Sequence, residues 1–164
     1  MVKVVLALGD NISTDIIYPG RFMATVLPGE TPAYAFADYI ELNKQLRSGE
    51  IPPGSVIVAG KNFGCGSSRE QAASCLKGYD LVIVAQHFAR IFFQNSINLG
   101  LRMVICPGIS AQAGDQLEIS PTAVKNISTG KTFPVTPMPE SRQAIINAGG
   151  LVPYTRQRII KKSV

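Results

Sequence analysis

One glycine-rich segment brings together residue types that bind an anion. It runs from Gly60 to Glu70 and reads Gly-Lys-Asn-Phe-Gly-Cys-Gly-Ser-Ser-Arg-Glu. Gly64 and Gly66 allow the backbone to approach a ligand closely, and Arg69 offers a planar guanidinium that matches a carboxylate in bidentate geometry. A helix starting at the end of this segment adds free N–H groups and a partial positive charge. The segment is therefore predicted to bind an anion.

Two standard motifs do not describe this segment. A P-loop requires lysine directly after its last glycine, but Ser67 follows Gly66. A dinucleotide-binding turn requires glycine three residues after Gly66, where Arg69 stands. A structural role stays open, because residues 67–70 also match a capping box in which Ser67 caps a helix and Glu70 reaches back. The two roles are compatible, since a cap residue can also face a ligand.

The cysteines and the single histidine give weaker signals. Cys65 lies in the glycine segment, where a helix N-terminus favours a thiolate, but a nucleophilic cysteine needs a base and nothing in the sequence places His87 beside it. Cys75 and Cys106 are expected to be buried small side chains. No pair has metal-ligand spacing, so no metal site is expected in this chain. Three cysteines without a C-x-x-C pair fit a reducing compartment, and a cytoplasmic location is expected.

The elements that position the glycine segment are strands and helices in alternation. Apolar runs at residues 56–59 and 81–85 predict two buried strands, and residues 101–105 predict a third strand. Residues 69–77 and 87–98 between them are predicted to be helices, the first followed by Gly78 and the second ended by Gly100. Short crossovers between strands that are apolar on both faces predict parallel pairing. The glycine segment would then lie at the carboxyl end of a strand, where α/β folds bind ligands.

The flanking regions extend this core. The first residues predict a strand, and residues 34–45 are predicted to be helical. Residues 116–119 and 131–135 predict short strands of an antiparallel hairpin or meander, followed by a last helix within residues 137–149. Together these elements predict a mixed three-layer α/β domain with a short antiparallel β addition.

Length and charge narrow the class of protein. The chain has 164 residues, of which 46% are hydrophobic and 16% charged, and this predicts one domain, at residues 1–155, with a basic C-terminal tail at 156–164. Four of the charges behind the net +5 lie in that tail, namely Arg156, Arg158, Lys161 and Lys162. The tail is expected to be solvated. Without tryptophan or interleaved aromatic and basic residues, nucleic acid is not an expected partner, and without a long apolar run neither is a membrane.

Four ordered motifs resemble the swivelling domain of the aconitase superfamily. Residues 64–72 match its Gly-x-Gly-Ser-Ser-Arg-Glu-x-Ala signature, and residues 10–21 resemble its Asp-x-Ile-x-Thr-Asp-x-Ile-x-Pro-Gly-Arg motif. Residues 87–100 and 145–154 are similar to its third and last motifs. The likeness is collinear from about residue 8 to residue 156 and implies a swivelling β/β/α domain with a partly parallel central sheet. The length matches a free-standing small subunit.

This resemblance implies a hydro-lyase that moves water on hydroxy di- and tricarboxylic acids. In the superfamily, a [4Fe–4S] cluster with one open iron polarises the substrate hydroxyl group. The resemblance implies that a partner large subunit holds this cluster, in a heterodimer or heterotetramer active only as a complex. By the same resemblance, Ser67 is the base that takes the carbon-bound proton. Arg69 then binds a substrate carboxylate and Ser68 donates a nearby hydrogen bond.

Substrate choice in the superfamily is linked to a loop that matches Phe22, Met23, Ala24 and Thr25. The homoaconitase-like pattern has arginine where Ala24 stands. An apolar loop favours an apolar substituent, since a buried unpaired carboxylate is costly. The resemblance therefore implies interconversion of 2- and 3-isopropylmalate, as in leucine biosynthesis.

Several alternatives stay open. They are a homoaconitase subunit, a subunit acting on dimethylmalate or citramalate, and a non-catalytic anion-binding module. Phe22 and Met23 also fit a purely core-packing role or a partner interface, and the isolated chain is a candidate to form homo-oligomers.

Overall fold

Seven strands form one mixed sheet in the computed structural model, which describes residues 1–162, with side chains up to residue 160. The strands are β1 (Val2–Ala7), β2 (Val56–Ala59), β3 (Val82–Ala85), β4 (Arg102–Ile105), β5 (Gln116–Ile119), β6 (Ala123–Asn126) and β7 (Thr132–Pro134). Their order in the sheet is β4-β3-β2-β1-β5-β6-β7. Strands β1 to β4 are parallel, whereas β5 is antiparallel to β1 and opens an antiparallel meander. A bridge between Ile105 and Thr136 brings the two sheet edges together, so the sheet is curled.

The central strands divide the core into two layers because their side chains alternate between faces. Ile57 and Ile83 pack with the helices in one cluster. Val56 and Val84 pack with residues of the meander in another. The helices are α1 (Thr14–Ile17), α2 (Ile40–Ser48), α3 (Glu70–Gly78), α4 (Arg90–Leu99), α5 (Glu140–Asn147) and α6 (Leu151–Lys162). The result is a β/β/α domain, as the fold prediction states.

The predicted alternation around the glycine segment is confirmed. β2 pairs with β3, and β3 with β4, in unbroken parallel register. Both faces of β2 and β3 are fully buried, which explains why their sequences are continuous apolar runs rather than alternating ones. The N-terminal strand and the antiparallel meander are also present, and β6 is a strand that the sequence patterns did not predict.

The helix predicted at residues 34–45 is wrong in its first half. A 3₁₀ turn ends at Tyr34, and the regular helix α2 begins only at Ile40. Phe36 has a φ of +50° and a completely buried side chain. A left-handed residue interrupts an α-helix, so core packing of this ring prevails over local helix propensity.

Residues 151–162 form helix α6, and the boundary expected between residues 155 and 156 falls inside it. The side chains of Arg156 and Arg158 are exposed. Residues 163 and 164 of the expected tail lie outside the described part of the chain. Within the described helices, none is long and apolar enough to cross a membrane.

Candidate active site

The loops that follow β1 and β2 run side by side at the carboxyl edge of the sheet. We call residues 8–14, which end at the first residue of α1, the first loop, and residues 60–69 the glycine loop. Three main-chain hydrogen bonds of 2.7–2.8 Å join them, from Asn11 N to Lys61 O, from Gly64 N to Ile12 O and from Thr14 N to Cys65 O. Because β1 and β2 are parallel neighbours, both loops leave the sheet at the same edge. Two segments far apart in sequence thus form one surface.

Glycine is required at two positions of the glycine loop. Gly64 has a φ of +81°, and a Cβ atom there would overlap the buried ring of Phe92. Gly66 has a φ of +93°, and a Cβ atom there would lie 3.0 Å from Ser13 Oγ. Left-handed backbone and close packing both favour a residue without a side chain. Gly64 and Gly66, which are predicted to let the backbone approach a ligand, are therefore also required by the conformation and packing of the loop.

The segment after β3 joins this surface through its backbone. Phe63 N donates to His87 O at 3.0 Å, and Ala89 N donates to Phe63 O at 2.9 Å. The side chain of His87 is exposed, and Cys65 is half-buried. Within the described residues no hydrogen bond links these two side chains, so the geometry gives no nucleophile–base pair of Cys65 with His87.

The predicted capping box does not form. Helix α3 begins at Glu70, and its N-cap is Arg69, without a side-chain capping bond. The left-handed turn at Gly66 sets Ser67 outside the helix, where its carbonyl oxygen accepts from Thr14 Oγ1 at 3.0 Å and from Arg69 N at 2.8 Å. The backbone of Ser67 is thus fixed on two sides.

The hydroxyl groups of Ser67 and Ser68 remain available. Both residues are exposed, and neither hydroxyl makes a hydrogen bond with any part of the chain that the structure describes. Both stand immediately before the N-terminus of α3, which has unsatisfied N–H groups and a partial positive charge.

Arg69 follows these two serines in the chain, and its guanidinium is held in place. Its side chain is only 15% exposed, and Nη1 donates to the Asp15 carboxylate and, at 3.2 Å, to Tyr18 O. A Cβ atom on Gly20 would lie 3.2 Å from Nη2, so the glycine of the Pro-Gly-Arg sequence leaves room for the guanidinium.

Asp15 is a candidate functional residue that sequence reasoning did not select. It stands in the Thr-Asp pair of the N-terminal motif, and Ser13 Oγ accepts from its N–H at 3.1 Å. The only sequence signal was its place in that motif. Its pairing with Arg69, 54 residues away, follows from the parallel contact of β1 and β2.

The loop of Phe22, Met23, Ala24 and Thr25 is apolar and partly packed. The Phe22 ring stacks on Tyr34 with centroids 4.3 Å apart and contacts the helical core. Met23 is 37% exposed, and Ala24 is exposed as well. The core-packing alternative therefore fits Phe22 but not Met23.

Arg21, next to this loop, is already paired. Its two Nη atoms donate to the two carboxylate oxygens of Asp38 at 3.2 and 2.5 Å, and its Cζ lies 4.6 Å from the Phe22 ring centroid. The hydrogen bond from Arg21 lowers the pKa of Asp38 and keeps the carboxylate charged. Both Nη atoms of Arg21 are therefore bonded within the protein, whereas Arg69 uses only Nη1 for its bonds to Asp15 and Tyr18.

The other thiols lie in the interior. Burial raises the pKa of Cys75 and that of Cys106, so both stay protonated at neutral pH. In the part of the chain that the structure describes, no group of three or more His, Cys, Asp or Glu side chains is placed to hold a metal ion. These residues therefore do not fit an iron–sulfur cluster.

Comparison with known proteins agrees with this architecture. The family described as the aconitase C-terminal domain matches residues 31–105. The 3-isopropylmalate dehydratase small subunit of Methanosarcina acetivorans is 38% identical over 159 residues, covering 94% of this chain and 95% of that protein. The isopropylmalate/citramalate isomerase small subunit of Methanocaldococcus jannaschii is 38% identical over 160 residues, covering 92% and 90%. A crystal structure of 3-isopropylmalate dehydratase from Methanocaldococcus jannaschii superposes with a TM-score of 0.87 at 35% identity, covering 99% of this chain and 97% of that one.

The similarities in sequence and in fold both cover nearly the whole length of this chain and of each relative. They confirm the resemblance to the aconitase superfamily that the four motifs indicate. The chain belongs to the family of 3-isopropylmalate dehydratase small subunits, hydro-lyase subunits that act together with a large subunit.

Proposed function

We propose that this small subunit, in complex with its large subunit, interconverts 2-isopropylmalate and 3-isopropylmalate by removing and re-adding water. One observation supports this proposal most directly. Ser67 has a fixed backbone and a free, exposed hydroxyl, and two residues further on Arg69 has a guanidinium that Asp15 orients. The proposed base and the proposed carboxylate-binding group thus belong to one loop at the carboxyl edge of a parallel sheet, two residues apart in the chain.

Ser67 is the base in this proposal. Its Oγ, as an alkoxide, takes the proton from one substrate carbon while the hydroxyl group leaves the neighbouring carbon, and it returns a proton to carbon when water adds back to the double bond. The cluster on the large subunit would be the Lewis acid that assists the departure of the hydroxyl group. An alkoxide requires a positive potential. In this proposal the N-terminus of α3 is its main source, and the cationic Arg69, whose charge is partly offset by Asp15, adds to it. The hydroxyl is not consumed by a helix cap, so it is available for this task.

Arg69 binds one substrate carboxylate, and Ser68 donates a second hydrogen bond to the substrate. Asp15 and the carbonyl of Tyr18 both accept from Nη1. The guanidinium therefore keeps one orientation before substrate arrives, and little conformational freedom remains to be lost on binding.

The loop of Phe22, Met23, Ala24 and Thr25 faces the side group of the substrate. Homocitrate carries an additional carboxylate, for which this loop offers no cation, because Ala24 is apolar and Arg21 is bonded to Asp38. An isopropyl group matches such a loop. Citramalate, with a methyl group, is the second candidate substrate, and a relative of 38% identity is named for both acids.

The large subunit holds the [4Fe–4S] cluster in this proposal. The described residues of the small subunit do not provide a ligand set for it. We propose that the two chains form a heterodimer or heterotetramer in which Ser67 and Arg69 face the interface.

The test is an anaerobic assay of the complex with a cluster-loaded large subunit, using 2-isopropylmalate, citramalate and homocitrate in parallel. We expect turnover of 2-isopropylmalate and a loss of at least about 100-fold in kcat for Ser67→Ala, as for removal of a general base. Cys65→Ser is the matched control, since it changes a half-buried side chain in the same loop, and it should keep turnover within about twofold.

Two results would contradict the proposal. A verified complex that turns over none of the three acids would refute the hydro-lyase activity. An active complex in which Ser67→Ala turns over as fast as Cys65→Ser would refute the role of Ser67 alone.

A further inference from the structure

Tyr18 lies between the two parts of the candidate site. It follows helix α1 and is completely buried. Its main-chain carbonyl accepts from Arg69 Nη1 at 3.2 Å. Its hydroxyl group shares its one proton between Phe22 O at 3.1 Å and, more weakly, Thr25 O at 3.4 Å. One residue thus contacts the carboxylate-binding arginine with its backbone and the apolar loop with its side chain.

The ring and the hydroxyl of Tyr18 are both held. Tyr34 packs edge-on against the Tyr18 ring, with centroids 6.2 Å apart, and the Tyr34 ring in turn stacks on Phe22. Burial raises the pKa of Tyr18, so the hydroxyl stays protonated and can serve as a donor.

The Phe22 ring anchors the start of the loop by packing on Tyr34 and the helical core, and the other described contacts of the loop are local. Its own turns close through Met23 N to Gly20 O at 3.1 Å and Thr25 N to Phe22 O at 3.0 Å. The Met23 and Ala24 side chains are exposed. The Tyr18 hydroxyl bonds the carbonyl groups at both ends of the segment from Phe22 to Thr25, so it sets the position of that segment relative to Arg69.

We propose that Tyr18 is a positioning residue for substrate specificity, which holds the Phe22–Thr25 loop at a fixed distance from Arg69 through its hydroxyl group. This inference rests on the proposed function, in which Arg69 binds a carboxylate and the loop contacts the side group. The substrate is then recognised by its length, because Arg69 and the loop, which contact its two ends, are held at a fixed separation. Loss of the hydroxyl frees the loop and leaves Arg69 unchanged, because the carbonyl that contacts Arg69 belongs to the backbone.

The experiment compares Tyr18→Phe with Tyr34→Phe in the complete complex. Both changes remove one hydroxyl from the same aromatic cluster, but the Tyr34 hydroxyl makes no hydrogen bond in the described part of the chain. For Tyr18→Phe we expect the KM for 2-isopropylmalate to rise about 3- to 10-fold, the range for loss of one hydrogen bond, with kcat within about twofold. Tyr34→Phe should leave both constants within about twofold.

A second readout does not depend on turnover. Hydrogen–deuterium exchange of the full chain should show faster exchange of the amides of Met23 and Thr25 in Tyr18→Phe but not in Tyr34→Phe. Faster exchange confined to the loop is what a positioning role predicts, whereas a general loss of packing would also accelerate exchange in α2 and α3.

The outcomes separate the two proposals. A wild-type complex without activity on 2-isopropylmalate and citramalate refutes the proposed function. An active wild-type complex whose KM and loop exchange are unchanged in Tyr18→Phe refutes the role of Tyr18. Equal effects of the two substitutions also refute it, because the hydroxyl contacts would then not be the cause.

Discussion

Replacing Asp15 with asparagine tests whether the orientation of Arg69 is part of substrate binding. Asparagine keeps the size of the side chain and an acceptor oxygen, but it removes the charge that faces Arg69 Nη1. The Arg69 side chain is 15% exposed, and that of Asp15 is 59% exposed. The strength of this ion pair is therefore expected to be intermediate between that of a buried charge-assisted hydrogen bond and that of a surface salt bridge.

The expected magnitude follows from this partial exposure. Exposed ion pairs contribute up to about 1 kcal/mol, and hydrogen bonds to charged groups about 1.5–3 kcal/mol. Solvent at Asp15 screens the ion pair, so we expect its removal to cost about 1 kcal/mol of the binding free energy that an oriented Arg69 provides. That energy corresponds to a rise of about fivefold in KM for the acid, with kcat nearly unchanged.

The assay is steady-state turnover of 2-isopropylmalate by the complete complex. Asp80→Asn is the matched control, because Asp80 also pairs with an arginine, Arg102, at 3.0 Å but precedes β3 at the opposite edge of the sheet. Its KM should stay within about twofold of the wild-type value. Arg69→Met removes the entire guanidinium and should raise KM and lower kcat together, giving the upper limit of the effect.

Two results would refute the reasoning. An unchanged KM in Asp15→Asn would mean that the backbone contacts alone orient Arg69. A lower KM would mean that Asp15 competes with the substrate carboxylate for the guanidinium instead of preparing it.

Two further predictions concern the glycine loop and the thiols. Gly64→Ala should lose at least about 3 kcal/mol in the free energy of unfolding, because the new Cβ both overlaps Phe92 and stands at a φ of +81°. The control Gly49→Ala, at a φ of +78° but in open space, should lose only about 1 kcal/mol in the free energy of unfolding. Urea unfolding of both variants measures the two losses. Equal losses would contradict the expected overlap with Phe92. Iodoacetamide at pH 8 should label native protein once, at Cys65, since burial raises the pKa of Cys75 and of Cys106 and keeps both thiols neutral. Mass spectrometry identifies the labelled residue, and rapid native labelling of Cys75 would contradict the expected burial.

Much of the fold can be predicted from local sequence patterns. The continuous apolar runs of β2 and β3 have the length of strands and lack the alternation of a half-exposed sheet, so the runs alone indicate a parallel sheet covered on both faces. The Gly-x-Gly-Ser-Ser-Arg segment likewise indicates an anion site, because glycine conformations, serine hydroxyls and a guanidinium are properties of the residues themselves.

Two other local patterns led to wrong predictions, one of a capping box and one of a helix. Residues 67–70 satisfy the capping-box sequence, yet the left-handed turn at Gly66 sets Ser67 outside the helix. Residues 34–45 are compatible with a helix, yet the burial of Phe36 bends the chain before α2. In both cases a tertiary requirement outweighed a local preference of a few tenths of a kcal/mol to about 1 kcal/mol.

Local residue patterns predict the strand–helix alternation, the glycine loop and the residue types of the candidate site. Which of those residues contact one another depends on the tertiary fold. The contacts of Asp15 and Tyr18 with Arg69 span 54 and 51 residues and exist because β1 and β2 are parallel neighbours with their loops at one edge. No periodicity along a chain encodes such a contact. It arises when burial of apolar strands brings distant loops together, and the pairing of strands then fixes which side chains face one another.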